Sequence, residues 1–172
     1  MPTPITARRR GRNPTTGPGT GFTSETPAPI GFWLRRQVPE TAIHRVDAEL
    51  ACSLPVSGLE PGIGADCVSE FLQLLGFTEK PATPDAPTSE VPQTESTRDF
   101  MVHLHATDID GAEWTIDTVD RTVTRAHAKG DAAIRGTAWA LARWCWGRPV
   151  GGEIEAFGDI DAAESWRRSI AV

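Results

Sequence analysis

Between Thr78 and Arg98 the chain holds almost no large apolar residue, and Pro81, Pro84, Pro87 and Pro92 stand among Thr, Ser and acidic side chains. No other stretch constrains the fold as much. It cannot bury a core, and its prolines remove N–H groups that a helix or a central strand needs. It reads as a linker over 76–98 that divides the chain into two small patterned parts, 31–75 and 99–172. Before it, apolar residues recur at helical spacing; after it, they first alternate at period two. The expected class is therefore α+β: a helical part, then a small α+β domain with an antiparallel sheet.

Size and charge narrow the function. A chain of 172 residues with 39% hydrophobic content allows one or two small domains. No apolar run approaches the length needed to span a membrane. The net charge of −6 is spread along the sequence, which argues against a nucleic-acid footprint and fits a soluble cytoplasmic protein. Residues 1–30 are rich in Pro, Gly and Thr and read as a disordered leader; Arg8 to Arg12 is a solvated basic cluster with no apolar segment after it, which excludes a signal peptide. Cys52, Cys67 and Cys145 have no CxxC spacing and form neither a disulfide framework nor a thiolate metal site. Cys67 and Cys145 fall in apolar helical patterns and read as small core residues.

The run Gly31 to Ser53 carries metal-site chemistry. Glu40 and His44 stand four residues apart, so a helix presents both on one face, one turn apart, where they can grip a divalent ion. Asp47, three residues on, can accept a hydrogen bond from the other imidazole nitrogen. Spacing alone is also met by any solvated helix face. Pro39 requires that the helix begin or kink there. Beyond a loop of Pro and Gly, Asp66 to Leu75 reads as a second helix with Val68, Phe71, Leu72 and Leu75 on its core face and Gly76 as its C-terminal cap.

In the second part, Phe100, Val102, Leu104 and Ala106 alternate with His103 and His105, which describes a half-buried strand. The two histidines project to one side, as a feasible metal or ligand pair or as plain surface. Asp108 to Gly111 is a hairpin turn, and 114–119 and 122–126 continue an antiparallel meander. Asp131 to Gly147 reads as one helix with Asp131 as N-cap; Trp139, Trp144 and Trp146 on it serve either the core or a ligand cleft. Ile154 to Phe157 is a last strand before a short helix.

Several of these runs together resemble the mycothiol-dependent maleylpyruvate isomerase family of the DinB-like superfamily. The first match is Arg35, Arg36, Glu40, Thr41, His44, Arg45, Asp47, Ala48 and Glu49, followed by Ala65, Asp66, Glu70 and Phe71. The second is His105, Ala106 and Asp108, then Trp114, then Trp146, Gly147 and Arg148, then Gly158 and Asp159. The resemblance implies that 31–75 are the C-terminal helices of a DinB-like metal-binding bundle and that 99–172 are the family's C-terminal domain. It implies Glu40 and His44 as ligands of a divalent metal, usually zinc, with mycothiol as the thiol cofactor. Arg148, with Arg143 second, would be the arginine that reaches the cleft and assists catalysis on a small-molecule substrate such as an unsaturated dicarboxylate. The family's third ligand is a histidine of an earlier helix, and no histidine precedes His44. The expectation is therefore an N-terminally truncated member with weak metal affinity and impaired isomerase or transferase activity. The competing expectation is a non-catalytic remnant that binds a small molecule or a partner; a second copy of the chain could cover the apolar face of the 40–53 helix.

Overall fold

A computed structural model describes residues 29–81 and 100–170. The chain runs α1 (Pro29–Ala51), α2 (Pro61–Leu74), β1 (Thr78–Lys80), β2 (Met101–Ala106), β3 (Glu113–Asp117), β4 (Thr122–Thr124), β5 (Ala132–Gly136), α3 (Ala138–Cys145), β6 (Ile154–Gly158) and α4 (Ile160–Ser169). The class is α+β, as the sequence implies. The six strands form one sheet in the order β1-β4-β3-β2-β5-β6. It is mixed rather than wholly antiparallel, because β1 lies parallel to β4 and β2 parallel to β5. A parallel neighbour needs a long crossover, and the β3–β4 excursion supplies it for β2 and β5.

Two expected helices have different boundaries. α2 starts at Pro61, because Glu60 accepts a hydrogen bond from Ile63 N and Pro61 takes the first helical position, where its missing N–H costs nothing. It ends where expected: Gly76 is left-handed (φ 80°), Gly76 N donates to Gln73 O and Phe77 N to Leu72 O. The expected helix over 131–147 is a strand followed by a helix. Ala132, Ile134 and Gly136 alternate inward on β5, and Thr137 caps α3 by accepting from Ala140 N. Asp131, rather than capping a helix, accepts from Met101 N at 2.9 Å and fixes the start of β2.

One core joins the two expected parts. Ala42, Ile43 and Val46 of α1, Val68, Phe71 and Leu72 of α2, Trp114 and Ile116 of β3, Ile134 of β5 and Leu141 of α3 belong to a single buried cluster. α2 lies so close on α3 that a Cβ at Gly64 would stand 2.8 Å from Trp139 N. Trp114 Nε1 reaches Ser69 Oγ at 3.3 Å and ties the sheet to α2. The division at 76–98 therefore does not separate two cores, and β1 lies inside that segment; the rest of it, 82–99, falls outside the described residues, as do 1–28 of the expected leader. Pro39 sits fully buried within α1, which runs through it.

Val102, Leu104 and Ala106 of β2 belong to the apolar cluster shared with the helices. His103 and His105 therefore face the other side of the sheet. On α1, Phe32, Trp33, Leu34 and Val38 are exposed. No helix among the described residues is long and apolar enough to cross a membrane.

Candidate functional site

Along α1 the charged residues form a chain of contacts. Arg36 pairs with Glu40 and, at 3.3 Å, with Glu70 of α2. Glu40 Oε2 lies 3.2 Å from His44 Nε2, and His44 Nδ1 lies 3.3 Å from Asp47 Oδ2. Arg148 then closes the chain from the other end of the sequence, donating through Nε (3.0 Å) and Nη2 (2.8 Å) to the two oxygens of Asp47. Its position follows from local structure. Gly147 ends α3 in the left-handed region (φ 72°), and Arg148 N donates back to Arg143 O, which turns the next side chain towards α1. Arg148 holds the Asp47 carboxyl below its ordinary value, and burial pushes that of Glu70 up. A groove of about 810 Å³ lined by Trp33, Arg36, Gln37, Glu40, Thr41, His44 and Arg45 runs along this ridge.

Glu40, His44 and Arg148 thus come together on one surface, while Arg143 does not join them. It is buried, donates to Pro149 O and pairs with Glu153. The three tryptophans are buried in the core cluster. Trp139 donates to Ser57 O, Trp144 donates to Glu164, and Trp146 packs on Phe71 beneath Arg36. The buried thiols are inert, because burial pushes Cys67 and Cys145 up to about 12.

The donor set of the α1 ridge fits a loosely held ion. Only Glu40 Oε2 and His44 Nε2 converge, and Asp47 faces the other imidazole nitrogen. A catalytic zinc ordinarily has three protein ligands, so water or substrate would complete the shell. Each carboxylate is also already neutralised by an arginine.

A second cluster lies on the open face of the sheet and contains residues that the sequence pattern did not connect. His103 Nε2 is 3.2 Å from Glu113 Oε2, His105 Nδ1 is 3.1 Å from Glu113 Oε1, and His127 Nδ1 is 2.9 Å from Glu113 Oε2. The β2–β3 register sets His105 opposite Glu113. His127 comes from the loop after β4, which Thr115 holds over this face through its hydroxyl to Ala126 O at 2.9 Å. Among the described residues this is the one group of three or more such side chains whose ligand atoms lie mutually within metal-binding reach, all within 4.8 Å. Desolvation lowers the pKa of His103, a carboxylate contact opposing it; Glu113 resists burial and is held below its ordinary value by His127 and His103.

The profile of the MDMPI C-terminal domain matches residues 64–165, from within α2 to within α4. No curated protein and no solved structure matches the chain.

Proposed function

Since the chain belongs to the MDMPI C-terminal domain family, we propose that it is a thiol-dependent isomerase or transferase, with mycothiol as the thiol and an unsaturated dicarboxylate of the maleylpyruvate kind as the substrate. The observation that carries this reading is the bidentate grip of Arg148 on Asp47 beside His44, which brings the candidate arginine of the α+β part to the helix bearing Glu40 and His44. The groove along that ridge is the proposed substrate site. A planar guanidinium holds a carboxylate through two hydrogen bonds, so Arg148 and Arg36 can exchange Asp47 and Glu40 for the carboxylates of a substrate.

The thiol is taken to come from a cofactor: Cys67 and Cys145 are buried, and Cys52, though exposed, is not among the residues lining the groove. His44, exposed at the groove edge and flanked by Glu40 and Asp47, is placed to take the thiol proton. The thiolate adds to the double bond, whose electron pair moves onto the conjugated carbonyl oxygen. Rotation about the new single bond and expulsion of the same thiolate restore the alkene in the trans form, with no net redox change. A divalent cation, zinc by the family resemblance, would be held by Glu40 and His44 in place of that proton transfer, since it would occupy the imidazole lone pair; its positive charge would favour the thiolate, and the thiol proton would pass to water.

The test is a turnover assay of the purified chain with mycothiol, zinc and maleylpyruvate, beside calorimetric titration of the substrate. Slow, thiol-dependent isomerisation is expected, abolished in His44→Ala. Arg148→Gln should weaken substrate binding by about 10- to 100-fold, the worth of a charged hydrogen-bonded pair. Absence of both turnover and substrate binding, or binding indifferent to Arg148→Gln, would contradict the reading.

A further inference from the structure

We propose that His103, His105, Glu113 and His127 form a binding site for one first-row divalent cation of the zinc class, on the open face of the sheet and separate from the α1 groove. Three parts of the fold build it independently. Period two puts His103 and His105 on the same side of β2. Strand register places Glu113 of β3 directly across from His105. The loop after β4 lays His127 over both, with ring centroids 5.0 Å from His103 and 6.2 Å from His105.

The geometry suits tetrahedral coordination. Ligands about 2.0–2.1 Å from zinc stand roughly 3.3 Å from one another in a tetrahedron. The imidazole nitrogens of His103 and His127 stand 3.2 and 2.9 Å from Glu113 Oε2 and that of His105 3.1 Å from Oε1, close to that spacing, and one ligand atom from each of the four side chains lies within 4.8 Å of the others. Sub-ångström to ångström shifts of side chains would admit the ion. Imidazole nitrogen with one carboxylate is a donor set that suits zinc and its neighbours, and it is a poor one for calcium or magnesium, which prefer oxygen.

The surroundings agree. A cavity of about 320 Å³, lined by His103, His105, His127, Ala133, Arg135 and Phe157, opens beside the cluster, and His127 is itself exposed, which gives the ion an entry path. Glu113 is met by three imidazole side chains, each with a ring nitrogen able to serve as a metal ligand. With all four side chains bound the shell is closed, as in structural zinc sites. The ion would then staple the 125–130 loop to β2 and β3 and stabilise the sheet.

Zinc titrated calorimetrically into the chelator-treated full chain should bind at one tight site, and cobalt(II) should give the visible absorption of a tetrahedral centre. His127→Ala is the informative variant, since that side chain is exposed and lies outside the core. It should weaken binding by about a hundredfold or more, as should Glu113→Gln, whose metal-free unfolding temperature checks that it still folds. His44→Ala should leave the affinity unchanged. Binding no tighter than millimolar would overturn the proposal and leave the cluster as a hydrogen-bonded network. Tight binding that survives both His127→Ala and Glu113→Gln, or that His44→Ala alone removes, would overturn it equally; the last result would move the ion to α1.

Discussion

The α1 ridge and the open face of the sheet both gather histidine and carboxylate, yet they are prepared for opposite ligands. On α1 each carboxylate has a guanidinium partner: Arg36 for Glu40, and Arg148 for Asp47. On the sheet, Glu113 is met by three imidazoles. An ion arriving at α1 must compete with fixed positive charge, whereas one arriving at Glu113 meets imidazole nitrogens that can themselves become ligands. The difference teaches that a Glu/His pair at ligand spacing says little until the counter-ions around it are known. Anions are the better guests for the arginine-rich ridge and cations for the sheet face.

The largest expected effect separates the two regions by metal. Zinc at a hundredfold excess over its dissociation constant should stabilise the native chain by about 2.7 kcal/mol. Thermal unfolding should register that gain in the parent and in His44→Ala and lose it in His127→Ala. Next in size is Gly64→Ala. The new Cβ would stand 2.8 Å from Trp139 N and 3.0 Å from Ala138 C, backbone that cannot step aside. Overpacking of this kind costs about 1–3 kcal/mol. Because one core carries both regions, denaturant unfolding should show a single transition moved to lower midpoint. Two separated transitions would mean that the regions are independent.

Acidification should reach the regions at different pH. Burial holds His103 below its ordinary value of 6.5, so the unfolded chain takes up that proton first as pH falls. The stability it contributes is therefore fully present above about 6.5 and lost as pH drops through the folded value. Asp47 is depressed below 3.8, chiefly by Arg148, and its contribution persists until pH falls through that lower range. Unfolding temperature followed from pH 7.5 to 5, a span that brackets the reference histidine value, should decline in the parent and decline less in His103→Gln. An identical decline in both would remove His103 as the cause. The smallest effect belongs to Arg148→Gln in the absence of substrate. Asp47 is 41% exposed, so the pair is screened and worth at most about 1 kcal/mol. The loss should shrink further in molar salt, where charges are screened within about 3 Å; a salt-independent loss would point to packing instead.

Local signals in the sequence located the elements that depend on local chemistry. Alternation from Phe100 to Ala106 located β2, the Gly76 and Gly147 stops located two helix ends, and Glu-x-x-x-His located one face of α1. What escaped depends on partners distant in the chain. Ala132 to Gly136 has the alanine of a helix, and it is a strand because β2 and β6 flank it. The linker reading missed β1 for the same reason, since its strand partner among the described residues is the distant β4. At the sheet site, the hairpin turn at Asp108 to Gly111 already implied a residue near 113 opposite His105. His127 could not be paired with His103 without knowing that Thr115 anchors its loop. Arg148 is singled out in the sequence only by its Trp-Gly-Arg run, and its pairing with Asp47 of α1, 101 residues away, is a contact that no local pattern announces.

The X-ray absorption spectrum at the zinc edge of the metal-loaded chain reads the occupied site directly, because multiple scattering counts imidazoles. Three imidazole nitrogens and one carboxylate oxygen at about 2.0–2.1 Å are predicted. A shell of one imidazole and one carboxylate completed by water would place the ion on Glu40 and His44 and contradict the assignment of the sheet face as the metal site.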